Sequence, residues 1–594
     1  MHAGTLSIKD LFDRDTRYVV PLFQRPYVWT ADEQWHPLWV DITRLAEATL
    51  DDRESAPHFL GAIVLDQMPN PAGHLECRQV IDGQQRLTTL QLLLEAFVDI
   101  CARREIPRYD RALMNLTRND DPISDDPDDE FKVWPTNADQ QHFRRVMRAE
   151  TPDAVKSAYS ASKRGAGHPI ADAYLHFHAA IDGWLGNGDD VEERVKALYD
   201  TLRNQVRVVA INLTTDDDPQ VIFETLNARG TPLLPSDLVK NFLFHRLSQN
   251  GADVGGLYDK FWRPFDEDAA YWRRESGRGH ARRPAIDTFL QHYLASQLVD
   301  EVPVAHLFTT YREYAGARPS LMDELGDVQR LANLYRGFHT FDPRTSEGRF
   351  FRRLGEMNVT SAYPFLLRLF DRQRDRDVLQ SIMEALESFL VRRLVARLST
   401  RGYARLFVEV LQALDDDRPV ESVLEYLRGS PADFRRWPDD AEFLQAWRTN
   451  PVYRTLQKRR VRMLLEALED GKRTRKSEKL DFRERLTIEH LLPRKWQDHY
   501  PMPDGAGPEE SAARQELKNT LGNLTLLTKS LNPAVSNGPW PRKQAQILKH
   551  SALALNRDLD EEDIWDDAAI DRRARQLFQF ATQVWPGPRS QFSR

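Results

Sequence analysis

LTIEHLLP (Leu486 to Pro493) and LGNLTLLTKSLNPAVSNGPW (Leu521 to Trp540) are the stretches that decide how the C-terminal part folds. The first is a short β-prone run that ends in an acidic–histidine pair, Glu489-His490. In the second, Leu524 to Leu527 reads as another strand, and Trp540 to Lys549 reads as a helix. Asn523 precedes that strand and Asn532 follows it, with eight residues between them. Strand, loop, strand and helix in this order predict a small ββα unit from residue 476 to 594. Upstream, residues 251–475 carry apolar side chains at i, i+3 and i+4, as at Val378, Ile382, Leu386 and Leu390, so they predict a helical middle segment. The Lys/Arg-rich GKRTRKSEK at its end reads as an exposed connector.

Residues 1–250 predict a mixed α/β domain. Arg17 to Leu22, Phe59 to Leu65, Arg78 to Ile81 and Val206 to Leu213 read as strands. Asp82-Gly83 is a turn dipeptide. Leu87, Leu90, Leu93, Leu94, Phe97 and Ile100 recur at helical spacing from Gln84 to Arg103. Asp218-Pro219 reads as a helix start running to about Asn227, with Arg229-Gly230 ending it and Ser236 capping the next helix. The acidic, proline-bearing Asn119 to Glu130 reads as a solvated loop.

Composition bounds the rest. At roughly 150 residues per domain, 594 residues make two to four units. Hydrophobic residues at 41% and charged residues at 29% describe a globular chain. No apolar run approaches the ~18 residues of a membrane span, and the N-terminus lacks the pattern of a signal peptide. Two cysteines, Cys77 and Cys101, exclude a disulfide framework and a four-cysteine zinc site. A cytoplasmic location is expected. The net charge of −8 excludes a uniformly basic coat and still permits a local DNA-binding face. The arginine-rich Tyr271 to Arg283 is a candidate for phosphate contact and equally well a solvated loop.

The C-terminal residue types suit phosphodiester hydrolysis. A neutral imidazole accepts a proton from water near neutral pH. One hard cation offsets charge developing on the phosphate. Mg²⁺ (or Mn²⁺) needs few protein oxygens, because it keeps several waters. Taken singly, Glu489-His490 would be a surface pair and the asparagines turn residues; the ordered set outweighs that reading. It resembles the HNH nuclease family, whose ββα-metal fold and roles then fall on His490 as general base, Asn523 as orienter, and Glu489 with Asn532 as metal ligands. Asn537, in Ser-Asn-Gly, is the alternative to Asn532. The family more often has Asp where Glu489 stands. Arg542 and Lys543 open the helix as candidate phosphate contacts.

Three N-terminal motifs complete the picture: PLFQRPYVWT (Pro21 to Thr30), VIDGQQRLTTLQLL (Val80 to Leu94) and VIFETLNARGTPLLPSDLVKNFLF (Val221 to Phe244). With the HNH stretch they resemble the GmrSD family of modification-dependent (type IV) restriction enzymes. That resemblance implies a multi-domain α+β chain with a ParB/sulfiredoxin-like, nucleotide-binding N-terminal domain. Gly83 and the Gln84 helix start form an anion site, Arg86 adds a phosphate fork, and Asp82 is suited to Mg²⁺. Gln84, Gln85, Asn227, Arg229 and Lys240 join the candidate nucleotide pocket. Gln24, Arg25, Tyr27 and Trp29 are candidates for sensing DNA or its modification. No GxxxxGK[ST] sequence exists, which excludes a P-loop. Expected partners are double-stranded DNA, modified phage DNA above all, a nucleoside triphosphate, and a second copy of the chain in a homo-oligomer, with no membrane. The expected function is Mg²⁺-dependent cleavage of modified DNA in antiviral defence, gated by nucleotide. The alternative is an NTP-hydrolysing regulator or DNA-binding protein whose HNH-like part is inactive.

Overall fold

Val80 to Asp82 forms the end of a strand because β-branched residues precede a turn that only glycine completes. Gly83 has φ +98°, and a Cβ there would come within 2.6 Å of Ile63 Cγ2. From this turn starts the Gln84–Arg103 helix, on the boundaries its apolar spacing predicts. These features belong to a computed structural model of the chain. It describes every residue except 69–74, 121–125, 161–166, 215–216, 218–221, 223–233, 278–281, 430–434, 474–485, 504, 536 and 591–594. The chain divides into two compact units, Met1–Trp272 and Arg273–Arg594.

The first unit is built on a six-stranded mixed sheet. Its strands are β1 (His2–Ser7), β2 (Thr16–Val19), β3 (His58–Gln67), β4 (Glu76–Asp82), β5 (Val133–Trp134) and β6 (Val206–Asn212), in the order β1-β6-β3-β4-β2-β5. β3 runs parallel to β6 and antiparallel to β4, with Val64 opposite both Ile211 and Asp82. Two strands escape a reading by hydrophobic pattern. β1 is a largely exposed edge and β5 has only two residues.

The Gln84–Arg103 helix packs against the Pro107–Thr117 and Pro169–Leu185 helices and is buried nearly all round, not on one face. Its polar residues are therefore paired inside the core: Glu95 with Arg118 at 2.6 Å and Asp99 with the Tyr174 hydroxyl at 2.5 Å. The Pro235–Gln249 helix corrects one expectation. Leu234 is its N-cap and Pro235 its first residue, so Ser236 lies inside the helix and does not cap it. The helix expected from Asp218 to about Asn227 lies outside the described residues apart from Ile222.

The second unit is helical up to a two-stranded antiparallel pair, with a short ribbon of β7 (Glu275–Ser276) and β8 (Arg283–Pro284) near its start. The pair is β9 (Leu486–His490) and β10 (Leu524–Thr528), in register Leu524 to His490 and Thr525 to Glu489. The Trp540–His550 helix follows, which gives the strand–strand–helix order expected. The Lys458–Lys472 helix packs on both strands and on the Asp567–Val584 helix. Gly522 permits the close approach of that last helix, since a Cβ would meet Ile570 O at 2.3 Å. The buried Arg573 donates to Gly522 O and Leu524 O and fixes where β10 begins. The whole is a multi-domain α+β chain. Among the described residues, no helix is long and apolar enough to cross a membrane.

Candidate active site

β9 ends at His490, and the chain must turn sharply through Leu491 to Pro493. Asn523, fully buried, holds that turn. Its Oδ1 accepts from Leu492 N at 2.6 Å and from Trp565 Nε1 at 2.9 Å. Its Nδ2 donates to Leu492 O and Lys518 O, and its own carbonyl accepts from Leu491 N. An amide is the side chain that supplies both acceptor and donor for such a turn. Asn523 thus fixes the backbone immediately after His490.

His490 is 4% exposed. Burial first, and then the nearby Arg494 guanidinium, lower its pKa to about 3, so the ring is neutral at physiological pH. Asn519 lies beside the ring and opposes part of that shift. Tyr453 stands edge-on to it with centroids 4.2 Å apart. The His490 Nε2 is buried with no hydrogen-bond partner, an unusual state for a ring nitrogen in a core.

Glu489 faces Lys543. The Lys543 Nζ lies 2.5 Å from Glu489 Oε1 and donates to His490 O at 2.6 Å. Burial pushes the Glu489 carboxyl up, and Lys543 opposes that shift. The expectation that Lys543 touches phosphate is therefore corrected. Its ammonium is buried, because it is turned inward to neutralise a desolvated carboxylate. Arg542, one residue earlier, is exposed. Asn532 sits in the short Leu531–Val535 helix, its Nδ2 donating to Thr487 Oγ1 at 3.0 Å and to Ile488 O at 3.3 Å. Its Oδ1 is the end left for a ligand. Thr487 and Glu489 share a strand face, so Asn532 lies beside the Glu489 side of β9. Asn537 is exposed in the following turn. Among the described residues, no cluster of three or more His, Cys, Asp or Glu side chains has metal-holding geometry. A cation here would rest on Glu489, one amide oxygen and water, a donor set that fits Mg²⁺.

Sequence reading missed Tyr453, Arg494, Asn519 and Lys543 as neighbours of this pair. None carries a motif, and Tyr453 belongs to the helical stretch preceding the strands.

In the first unit the three N-terminal motifs meet at Arg25. Burial lowers the pKa of Arg25, while Asp237 and Asp82 raise it and Arg86 lowers it further, so all three charges lie around it. Arg86 donates to Ala62 O at 2.9 Å and lies 3.9 Å from Asp82. Its guanidinium passes over Gly61, where a Cβ would sit 3.0 Å from Nε. Gly83 leaves the first turn of its helix without a side-chain cap or an acidic residue, and Gln84 Oε1 is buried without a partner.

Four expected contacts are turned inward instead. Gln24 donates to Val80 O and Ile81 O. Gln85 bridges Pro26 O and Val28 N. The Tyr27 hydroxyl bonds Thr89 and Trp35. Lys240 is 1% exposed, 3.7 Å from Asp266. Burial with satisfied hydrogen bonds makes Gln24, Gln85 and Tyr27 braces between the first two motifs, because a ligand contact would break bonds already formed, and Lys240 is held inside by its charge pair. Arg25 and Trp29 remain partly exposed. Asn227 and Arg229 lie outside the described residues.

Comparison with known proteins agrees with both halves. The N-terminal domain of GmrSD restriction endonuclease matches residues 8–244, and the C-terminal domain of GmrSD restriction endonucleases matches residues 437–580. No curated protein matches the chain. The C-terminal match begins well before β9 and takes in Tyr453 and the Lys458–Lys472 helix. The two halves occur in order and cover most of the chain, so it belongs to the GmrSD restriction endonuclease family.

Proposed function

We propose that the chain is a modification-dependent DNA endonuclease that cuts through an HNH-type site with His490 as general base. The observation that carries this reading is the partnerless, buried Nε2 of a neutral imidazole at the end of β9. It stands beside a carboxylate, Glu489, and behind a turn locked by Asn523. A neutral ring with an open nitrogen accepts a proton from the attacking water. Tyr453 packs against the ring, and Asn523 fixes the strand end that carries it. Glu489 and the Asn532 Oδ1 would hold Mg²⁺ or Mn²⁺, which when bound supplies charge stabilisation at the phosphate. Lys543 opposes the burial-driven rise at Glu489 and orients its carboxyl group.

For the first unit we propose a nucleoside triphosphate site at the uncapped Gln84–Arg103 helix start. Arg86 and Arg25 would meet the phosphates there, and Asp82 would meet a cation. The support is the convergence of three separated motifs on one charged cluster. Calorimetry with each ribonucleoside triphosphate tests it: wild type binds one of them, and Arg86→Ala binds it more weakly. No heat with any of them on wild type removes the nucleotide from the account. The nuclease reading is tested by cleavage of matched modified and unmodified plasmid, with and without Mg²⁺. Cleavage confined to modified DNA with metal present is expected. Equal cutting of both plasmids contradicts the modification dependence.

A further inference from the structure

Beside His490 a pocket of about 360 Å³ opens, lined by Tyr453, Arg454, Lys458, Arg494, Lys518 and Asn519 among others. Four of these six are cations. Arg454 is paired with Glu516. The other three donate to neutral oxygens. Lys458 reaches the Tyr453 carbonyl, and Arg494 reaches the Tyr453 hydroxyl. Lys518 reaches Arg494 O at 3.1 Å and Gln515 Oε1 at 2.8 Å. Among the described residues, none of these three forms an ion pair with a carboxylate.

Arg494 repels both lysines: burial lowers the pKa of Lys458 and of Lys518, Arg494 lowers both further, and Glu516 offsets part of this at Lys518. Gathering three cations around one concavity is unfavourable unless an anion offsets their repulsion. The pocket wall also touches the base. Tyr453 packs edge-on against the His490 ring, and Asn519 lies beside it. The buried Nε2 of that ring has no partner.

We propose that this pocket seats a backbone phosphate of the DNA substrate next to the bond that is cut. Lys458, Arg494 and Lys518 are its ligands, and Tyr453 is a positioning residue for His490. The proposal rests on the reading of His490 as the nuclease base. It assigns a role in substrate grip to the helical stretch before the strands, since Tyr453 and Lys458 come from there. Phosphate contacts carry no sequence information, which suits an enzyme whose selectivity lies in sensing a modification.

The test is fluorescence anisotropy of a short fluorescein-labelled DNA duplex with the full chain in EDTA, across a salt series. Each lost phosphate contact lowers the slope of log K against log salt by about 0.9. The double variant Lys458→Gln, Lys518→Gln keeps the stems and removes the charges. It should lose about two units of slope and bind roughly 10–100-fold more weakly at low salt. Lys458→Arg with Lys518→Arg should restore the slope, which a merely structural role for these side chains does not predict. A wild-type slope and affinity in the Gln variant overturns the proposal, provided its thermal melt matches wild type. If the Gln variant melts early, a slope unchanged on charge reversal by Lys458→Glu alone overturns it equally. The two readings fail separately. Loss of cleavage in His490→Ala with an unaltered slope in the Gln variant rejects the pocket alone. A lost slope beside undiminished cleavage by His490→Ala keeps the pocket as a phosphate site and rejects the base.

Discussion

Asn523 does more for the site than its single amide implies. Its Oδ1 satisfies both Leu492 N and Trp565 Nε1 inside the core. Asn523→Ala leaves two buried donors without an acceptor, at about 1–3 kcal/mol each. A fall of about 2–6 kcal/mol in unfolding free energy by denaturant titration is expected, along with slower cleavage, because the turn after His490 loosens. A melt and a rate equal to wild type would contradict the orienting role. At this scale the sequence was informative where chemistry is scarce. An acidic–histidine pair followed by two spaced asparagines, each beside a strand, is a rare pattern. Lys543, Asn519, Arg494 and Tyr453 are common residue types in stretches without a motif, and only the fold brings them to the ring. Lys543 in particular looked like a surface cation at a helix start. Its inward turn follows from the buried Glu489, which no local pattern reveals.

Among the elements, the Gln84–Arg103 helix was legible end to end, because its apolar spacing is long and a glycine turn precedes it. β1 and β5 were not, since an exposed edge and a two-residue strand have no buried alternation to read. The Gly83 turn carries a direct prediction. Gly83→Ala must adopt φ +98° and overlap Ile63, so it should destabilise the first unit by about 2–4 kcal/mol. An unchanged melt would show that the turn relaxes freely.

The loop bearing Tyr27 is tied by Asp139, which accepts from Tyr27 N at 2.7 Å, with neutral His168 3.6 Å away. Burial raises the Asp139 pKa from 3.8 to about 6. A carboxyl raised in the folded state favours folding while protonated. Its stabilising effect is therefore lost as pH rises from about 4 to about 6, and the loss is constant above that. Asp139→Asn removes this dependence. Relative to wild type, the variant should gain up to about 2–3 kcal/mol between those limits. Calorimetric melts of both proteins across that range check this, and a constant difference across the range contradicts it.

The whole molecule consists of two compact units, and one site is proposed in each. A ligand in the first unit changes cleavage by the second only if it binds two states of the chain with different affinity. Arg86→Ala lies in the first unit and leaves every residue of the proposed nuclease site in place. It should shift the nucleotide concentration needed for half-maximal cleavage of modified DNA, and leave unaltered any cleavage seen without nucleotide. Identical nucleotide curves for the variant and wild type would separate the two sites. The α+β class and the strand–strand–helix order were open to sequence reading, because each rests on local pattern. The approach of the preceding helices to the candidate site was not, because it depends on long-range packing of the Lys458–Lys472 helix onto β9 and β10.

The most direct measurement is single-turnover cleavage of a modified plasmid with Mg²⁺ by wild type and His490→Ala at saturating protein. The account predicts a loss of about 10²–10⁴-fold in rate for His490→Ala, with an unchanged melt and unchanged DNA affinity in EDTA. Cleavage by His490→Ala at the wild-type rate would contradict it, and would move the chemistry away from the end of β9.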